Sequence, residues 1–122
     1  MPNAKTHLVV GAATGFVIDT FVQLERMRAN PAVRFNWAEL GFCALAAGTA
    51  ALLPDVLEPA TTPNHRKFCH SIAMAVIVTY AVTGKHTKRL AVAELTILTV
   101  LGAGYLSHLV ADATTPRCIS VF

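Results

Sequence analysis

Long apolar segments dominate this chain and leave it few ways to fold. They cover residues 8–24, 37–53, 68–84 and 90–111, with lengths of 17, 17, 17 and 22 residues. A helix needs roughly 17–25 apolar residues to cross a membrane, and none of these segments alternates like a β-strand over its length. We therefore predict an all-α protein, a four-helix transmembrane bundle in one domain that covers residues 1–122.

The composition also favours a membrane over a soluble core. Hydrophobic residues make up 54% of the chain and charged residues 14%, whereas about 25% of residues are charged in an ordinary soluble domain. A domain of 122 residues buries too small a share of its surface to hide that much apolar area. The net charge is +3, and no basic stripe with interleaved aromatic residues is present. We therefore predict no binding of nucleic acid through a basic patch.

The polar stretch of residues 53–71 interrupts the apolar segments and is rich in metal-binding side chains. If the four helices run alternately up and down, further candidate ligands reach the membrane face that carries this stretch, here called the ligand side. The complete set is His7, Asp55, Glu58, His65, His70, His108 and Asp112. Histidines and carboxylates without a cluster of thiolates suit zinc or another divalent transition metal. We predict a site for one or two divalent ions, with Zn²⁺ preferred.

Within this set, the predicted core ligands are His70, His108 and Asp112. His108 and Asp112 are four residues apart, so they share one face of a helix. The other two histidines of the set, His7 and His65, are predicted to hold a second ion.

Further residues of the same region are predicted to act beside the metal. Asp55 completes or bridges the site, and Asp55 and Arg66 are the candidate catalytic residues. Arg66 either clamps a phosphate oxygen bidentately or anchors the chain at the level of the lipid headgroups. Ser71 and Ser107 are predicted to orient ligand imidazoles. Cys69 is either a packing thiol or a thiolate ligand.

Four motifs follow one another along the chain. They are His7-x-x-x-Gly11, Leu52-Leu53-Pro54-Asp55, His65-Arg66-x-x-x-His70-Ser71 and Gly104-Tyr105-Leu106-Ser107-His108-x-x-x-Asp112-x-x-Thr115-Pro116. Together they resemble the YdjM-like family of bacterial inner-membrane, metal-dependent hydrolases, which is similar to the zinc-dependent phospholipase C and single-strand nuclease group. The resemblance implies hydrolysis of a phosphoester, in a membrane lipid or a lipid-linked substrate, by a metal-activated water. Where the family usually has a second Asp, this chain has Leu57, and the adjacent Glu58 is the candidate substitute.

Other functions stay open at this stage. The alternative is a non-catalytic metal-binding or interaction membrane protein, and formation of a homo-oligomer is not decided by the sequence. A small transporter is a third hypothesis, although no inverted repeat supports it. Asp19 lies deep in the first segment. It is either an ion or proton relay or a structural hydrogen-bond acceptor. Glu39 and Glu94 are expected to pair with basic residues of the loops opposite the ligand side, namely Arg34, Lys88 or Arg89.

The basic residues also predict an orientation in the membrane. The side opposite the ligand side carries six of them, Arg26, Arg28, Arg34, Lys85, Lys88 and Arg89. The ligand side carries four, Lys5, Arg66, Lys67 and Arg117. Because an excess of Lys and Arg marks cytoplasmic loops, we predict that the metal site lies on the non-cytoplasmic side. The family resemblance implies a multi-pass protein of the bacterial inner membrane, encoded by the bacterium or by a phage.

Overall fold

A computed structural model describes residues 3–59 and 68–114, and within these ranges the chain is helical and has no β-strand. The α-helices are α1 (Ala4–Ala29), α2 (Trp37–Ala50), α3 (Leu53–Leu57), α4 (Ile72–Thr83) and α5 (Val92–Ala113). A short 3₁₀ helix, Lys85–Arg89, connects α4 to α5. The predicted all-α class is confirmed for the described part of the chain.

Polar caps set where the helices begin. The side chains of Asn3, Asn36 and Ser71 each accept the backbone N–H three residues later, at 3.0–3.1 Å, and thereby begin α1, α2 and α4. Such a cap satisfies one of the N–H groups that a helix start leaves unpaired. Helix α2 ends at Ala50, three residues before the end of the apolar segment 37–53. Pro54 lies in the first turn of α3, where its missing N–H costs no helical hydrogen bond.

Three helices of the described chain are long and apolar enough to cross a membrane. They are Ala4–Ala29, Trp37–Leu57 (α2 continued by α3) and Val92–Ala113. Helix α4 has 12 residues, which corresponds to about 18 Å at 1.5 Å per residue and is shorter than a hydrocarbon core of about 30 Å. The predicted transmembrane helices are thus supported for three segments, and the fourth crossing stays a prediction.

Helix α1 contacts its neighbours through one narrow stripe of residues. The buried residues of this helix are spaced four apart, and they are His7, Gly11, Gly15, Asp19 and Gln23. A Cβ atom on Gly11 would lie 2.5 Å from the Ala51 Cβ atom, and one on Gly15 would lie 2.6 Å from the Ala47 Cβ atom. The two glycines therefore bring the backbones of α1 and α2 into close contact, as small residues do between helices in membranes.

Helices α1, α2 and α5 each pack against the other two. Gly104 of α5 faces the backbone of Ala47, whose other neighbour is Gly15 of α1. On its far side, α5 packs against α4, where Gly102 meets Val82. Large apolar side chains cover the outside of the helices, for example Phe21 at 66% exposure. This packing brings the start of α1 and the ends of α2 and α5 together at the ligand side.

Candidate metal centre

Five side chains converge where these helix ends meet. His7 comes from the first turns of α1, Asp55 from α3, His70 from the segment before α4, and His108 and Asp112 from the last turns of α5. They form two overlapping groups that could hold a metal ion, one with His7, His108 and Asp112 and one with Asp55, His70 and His108. Within each group the ligand atoms lie within 4.8 Å of one another. The structure therefore brings together five of the seven predicted ligands.

The distances between nitrogen and oxygen atoms fit a metal coordination shell. The Nε2 atom of His70 is 3.2 Å from Asp55 Oδ1, and that of His108 is 3.4 Å from Asp112 Oδ2. The Nε2 atom of His7 is 3.5 Å from the other Asp112 oxygen, Oδ1. Ligand atoms around a tetrahedral zinc ion with bonds of about 2.1 Å lie about 3.4 Å apart. These three separations are therefore compatible with ligands of a metal ion.

The cluster is buried and carries negative charge. The side chains of His7, His70, His108 and Asp112 are at most 1% exposed, whereas that of Asp55 is 39% exposed. With ionised carboxylates and neutral imidazoles, the forms in which these side chains bind a metal, the formal charge would be −2, one for each carboxylate. Burying uncompensated charge costs several kcal/mol, and a divalent cation would cancel it. The charge of the cluster therefore also fits a divalent metal.

The His108 ring is held with one nitrogen turned into the cluster. Its Nδ1 atom lies 2.6 Å from the backbone carbonyl of Ala51, and a carbonyl can only accept, so Nδ1 carries the proton. When the ring is neutral, its Nε2 lone pair faces the carboxylates. This Nε2 atom and both ring nitrogens of His7 are buried without a hydrogen-bond partner among the described residues. His7 stacks on His108, with ring centres 3.7 Å apart, which places its ring in the same cavity.

The structure places Glu58 beside His70 rather than in either ligand group. Its Oε2 atom is 3.2 Å from Nδ1 of His70, whereas Nε2 of the same ring faces Asp55. The Glu58 carboxylate also accepts the backbone N–H groups of Phe68 and Cys69, both at 2.9 Å. Burial by itself raises the pKa of Glu58, but these two N–H groups and the His70 ring outweigh it and hold the pKa below the usual range.

Three further residues of the predicted site belong to neither ligand group; they are Ser71, Ser107 and Cys69. Ser71 and Ser107 each donate to a backbone carbonyl three residues earlier, at 2.6 and 2.7 Å. The prediction that they orient ligand imidazoles was therefore wrong, because their hydroxyls serve the local backbone. Burial, reinforced by the nearby Glu58 carboxylate, raises the pKa of the Cys69 thiol, which favours a packing thiol over a thiolate ligand.

Two predicted site residues, His65 and Arg66, lie outside the described residues, so their roles stay predictions. Two contacts of the site were not predicted from the sequence. One is the Ala51 carbonyl that orients a ligand histidine, and the other is the Tyr105 hydroxyl, which donates to the Cys69 carbonyl at 2.8 Å. Every residue has a carbonyl, so a sequence pattern could not single out Ala51. Tyr105 precedes His108 by less than one turn, and this position was the available signal.

A second buried polar cluster lies further along the stripe of α1. Asp19 is fully buried and accepts a hydrogen bond from the Gln23 amide at 2.6 Å and from the Cys43 thiol at 3.4 Å. It is 12 residues from His7, about 18 Å along the helix. The glycine contacts with α2 fill the space between them. This packing favours Asp19 as a structural acceptor over a relay to the metal site.

The acidic residues opposite the ligand side have other partners than expected. Glu39 pairs with Arg26 of α1 at 2.7 Å, and Arg26 also donates to Thr96 of α5 at 3.3 Å. Glu94 accepts the backbone N–H of Ala91 at 3.0 Å and caps the start of α5. The predicted pairing with loop residues was wrong because helix contacts bring Arg26 to Glu39, while Glu94 serves its own helix.

Replacing Asp19 with alanine is expected to lower the free energy of unfolding by about 1 kcal/mol, as typical for polar contacts between membrane helices, and to leave Zn²⁺ affinity unchanged. Unfolding in mixed detergent micelles and a Zn²⁺ titration measure the two quantities. Val17→Ala, an exposed change on the same helix, is the control and should affect neither. A tenfold loss of Zn²⁺ affinity in Asp19→Ala would contradict the structural role.

Comparison with known proteins agrees with the membrane-spanning helices. The family model described as YdjM inner membrane protein matches residues 1–122. No curated protein and no solved structure matches the chain. The family match and the three candidate spans support the predicted inner-membrane localisation, while the side of the membrane that carries the cluster stays a prediction.

Proposed function

The chain belongs to the YdjM inner membrane protein family, and we propose that it is a membrane-bound metal-dependent hydrolase. The proposed substrate is a phosphoester in a membrane lipid or a lipid-linked phosphate. The observation that carries the proposal is the convergence of three histidines and two carboxylates with the spacing of metal ligands. Their position near the ends of spanning helices supports a substrate at the level of the lipid headgroups.

The proposed ligands of the first ion are His70, His108 and Asp112, since an ion with three protein ligands keeps a fourth position for water. A divalent metal held there would lower the pKa of a water molecule toward about 7 and polarise a phosphoryl oxygen. The two oxygens of Asp112 face different imidazoles, Oδ1 that of His7 and Oδ2 that of His108. If a second ion is bound, His7 and Asp112 would hold it. The number of ions is therefore one or two, with the second on the side of His7.

Asp55 is the proposed contact between the buried cluster and the substrate. Its Oδ1 atom lies 3.2 Å from Nε2 of His70 and 3.7 Å from Nε2 of His108. Asp55 is also the exposed member of the cluster, so a substrate that enters from the membrane surface meets it first. A carboxylate in this place can accept a proton from the attacking water. Arg66 would bind a phosphate oxygen.

One observation favours the alternative, a non-catalytic metal-binding membrane protein. Four of the five converging side chains are at most 1% exposed, and metal sites that are closed by protein ligands are typically structural. The two functions differ in whether the ion keeps a position for a substrate. They share the same ligands, so measuring metal binding alone does not separate them.

The experiment combines metal analysis with a hydrolysis assay on the purified protein in detergent micelles. We expect at least one equivalent of Zn²⁺, and hydrolysis of a water-soluble phosphodiester and of a phospholipid that a chelator abolishes and added Zn²⁺ restores. His70→Ala and Asp112→Asn should lose this activity. His86→Ala, which changes an exposed histidine of the 3₁₀ helix, should keep it.

The remaining outcomes decide against parts of the proposal. Less than one equivalent of bound metal contradicts the metal centre. Full metal content without hydrolysis of either substrate favours the non-catalytic alternative. Hydrolysis that persists in both ligand variants shows that the activity belongs elsewhere.

A further inference from the structure

The Glu58 carboxylate makes three contacts within one short segment of the chain. Its Oε1 atom accepts the Phe68 N–H, and its Oε2 atom accepts the Cys69 N–H and lies 3.2 Å from Nδ1 of His70. Its side chain is 17% exposed. Both carboxylate oxygens are therefore engaged by the segment that carries His70.

The two nitrogens of the His70 ring face different carboxylates. Nδ1 faces Glu58, whereas Nε2 faces Asp55 at 3.2 Å and Asp112 at 3.8 Å. An ionised Glu58 can only accept, so its hydrogen bond with the ring requires the proton on Nδ1. The Nε2 lone pair of His70 then faces the cluster.

We propose that Glu58 is a positioning residue of the metal centre, which holds His70 with its Nε2 atom toward the ion and does not itself bind the ion. Outer carboxylates that accept the second N–H of a ligand histidine orient the ring and raise its basicity. The Ala51 carbonyl holds His108 in the same tautomer. A neutral acceptor therefore orients the His108 ring, whereas a charged acceptor orients the His70 ring. This inference rests on the proposed metal centre but not on its catalytic activity.

The test measures Co²⁺ and Zn²⁺ binding to the full chain in detergent micelles. In Glu58→Gln we expect the dissociation constant to rise by about 10–100-fold, the usual effect of losing an outer partner of a metal ligand. The visible absorption of bound Co²⁺ should keep the band positions and intensity of the parent protein, because the set of ligands is unchanged. His70→Ala should alter that spectrum, since it removes a ligand.

Tyr105→Phe is the matched control for an effect on the position of the segment 68–70. Tyr105 ties the same segment to α5 through the Cys69 carbonyl but makes no contact with the His70 ring among the described hydrogen bonds. We expect this variant to bind Co²⁺ within about threefold of the parent protein. Glu58→Asp keeps the negative charge, so its affinity should lie closer to that of the parent protein than the affinity of Glu58→Gln does. If Glu58→Gln does not fold, Glu58→Asp is the test, because its shorter side chain draws the carboxylate back from His70 and should still raise the dissociation constant above that of the parent protein.

Each other outcome overturns a defined part of the inference. A Co²⁺ spectrum in Glu58→Gln that matches loss of a ligand makes Glu58 a ligand. An unchanged dissociation constant in Glu58→Gln shows that Glu58 has no role at the centre. A loss of affinity in Tyr105→Phe equal to that in Glu58→Gln shows that Glu58 acts only by holding residues 68–70 in place. If the parent protein itself does not bind Co²⁺ or Zn²⁺, the proposed metal centre fails rather than the role of Glu58 alone.

Discussion

Replacing His108 with alanine is expected to weaken Zn²⁺ binding by more than 100-fold. The Nε2 atom of His108 belongs to both groups of candidate ligands and has no hydrogen-bond partner among the described residues. Losing an outer partner of a ligand costs about 10–100-fold in affinity, and losing a ligand itself should cost more. Titration of the purified protein with Zn²⁺ in competition with a chelating dye measures the effect.

His86→Ala is the control for this experiment. His86 is exposed and lies in the 3₁₀ helix before α5, where its Nε2 atom is 2.9 Å from the carbonyl of Ala81. Its replacement should leave Zn²⁺ affinity unchanged, because His86 belongs to neither group of candidate ligands. A His108→Ala protein that is folded and binds Zn²⁺ within tenfold of the parent protein would show that the cluster is not the binding site.

The second large effect is expected from Gly104→Ala, which should lower the free energy of unfolding by about 3 kcal/mol, the upper end of typical overpacking costs. A Cβ atom at this position would overlap the Ala47 carbonyl oxygen and lie 2.8 Å from its Cα atom. Helix α2 cannot move away freely, because Ala47 also contacts Gly15 of α1. Gly104 is one turn before His108, so Zn²⁺ affinity should fall as well.

Gly41→Ala is the matched control for Gly104→Ala, since Gly41 lies within helix α2 and Gly104 within helix α5. No atom lies within 4 Å of a Cβ atom placed on Gly41. Alanine favours helix over glycine by about 1 kcal/mol, so this variant should be as stable as the parent protein or slightly more stable. Unfolding of the three proteins in mixed detergent micelles measures the difference. Equal stability of the two variants would contradict the close contact between α2 and α5.

Several features of the site could be predicted because they depend on local periodicity and on chain order. His108 and Asp112 are one helical turn apart, and any α-helix places such residues on one face. The alternating direction of long apolar helices brings His7, Asp55 and His70 to that same end. These five residues converge in the structure. The bounds of α1, Ala4–Ala29, extend beyond the predicted 8–24 because polar residues continue a helix that apolar composition alone does not reveal.

The sequence by itself therefore determined the all-α class, the long apolar segments and the membrane face at which the ligands collect. Only the tertiary structure decided which atoms face the centre. Glu58, predicted as a ligand, lies on the Nδ1 side of His70, and the His108 ring is set by the carbonyl of Ala51, 57 residues away. Such contacts depend on how helices and loops pack, to a precision of tenths of an ångström. Residue type and spacing specify a side chain's helix and face, but packing between distant segments specifies its partner.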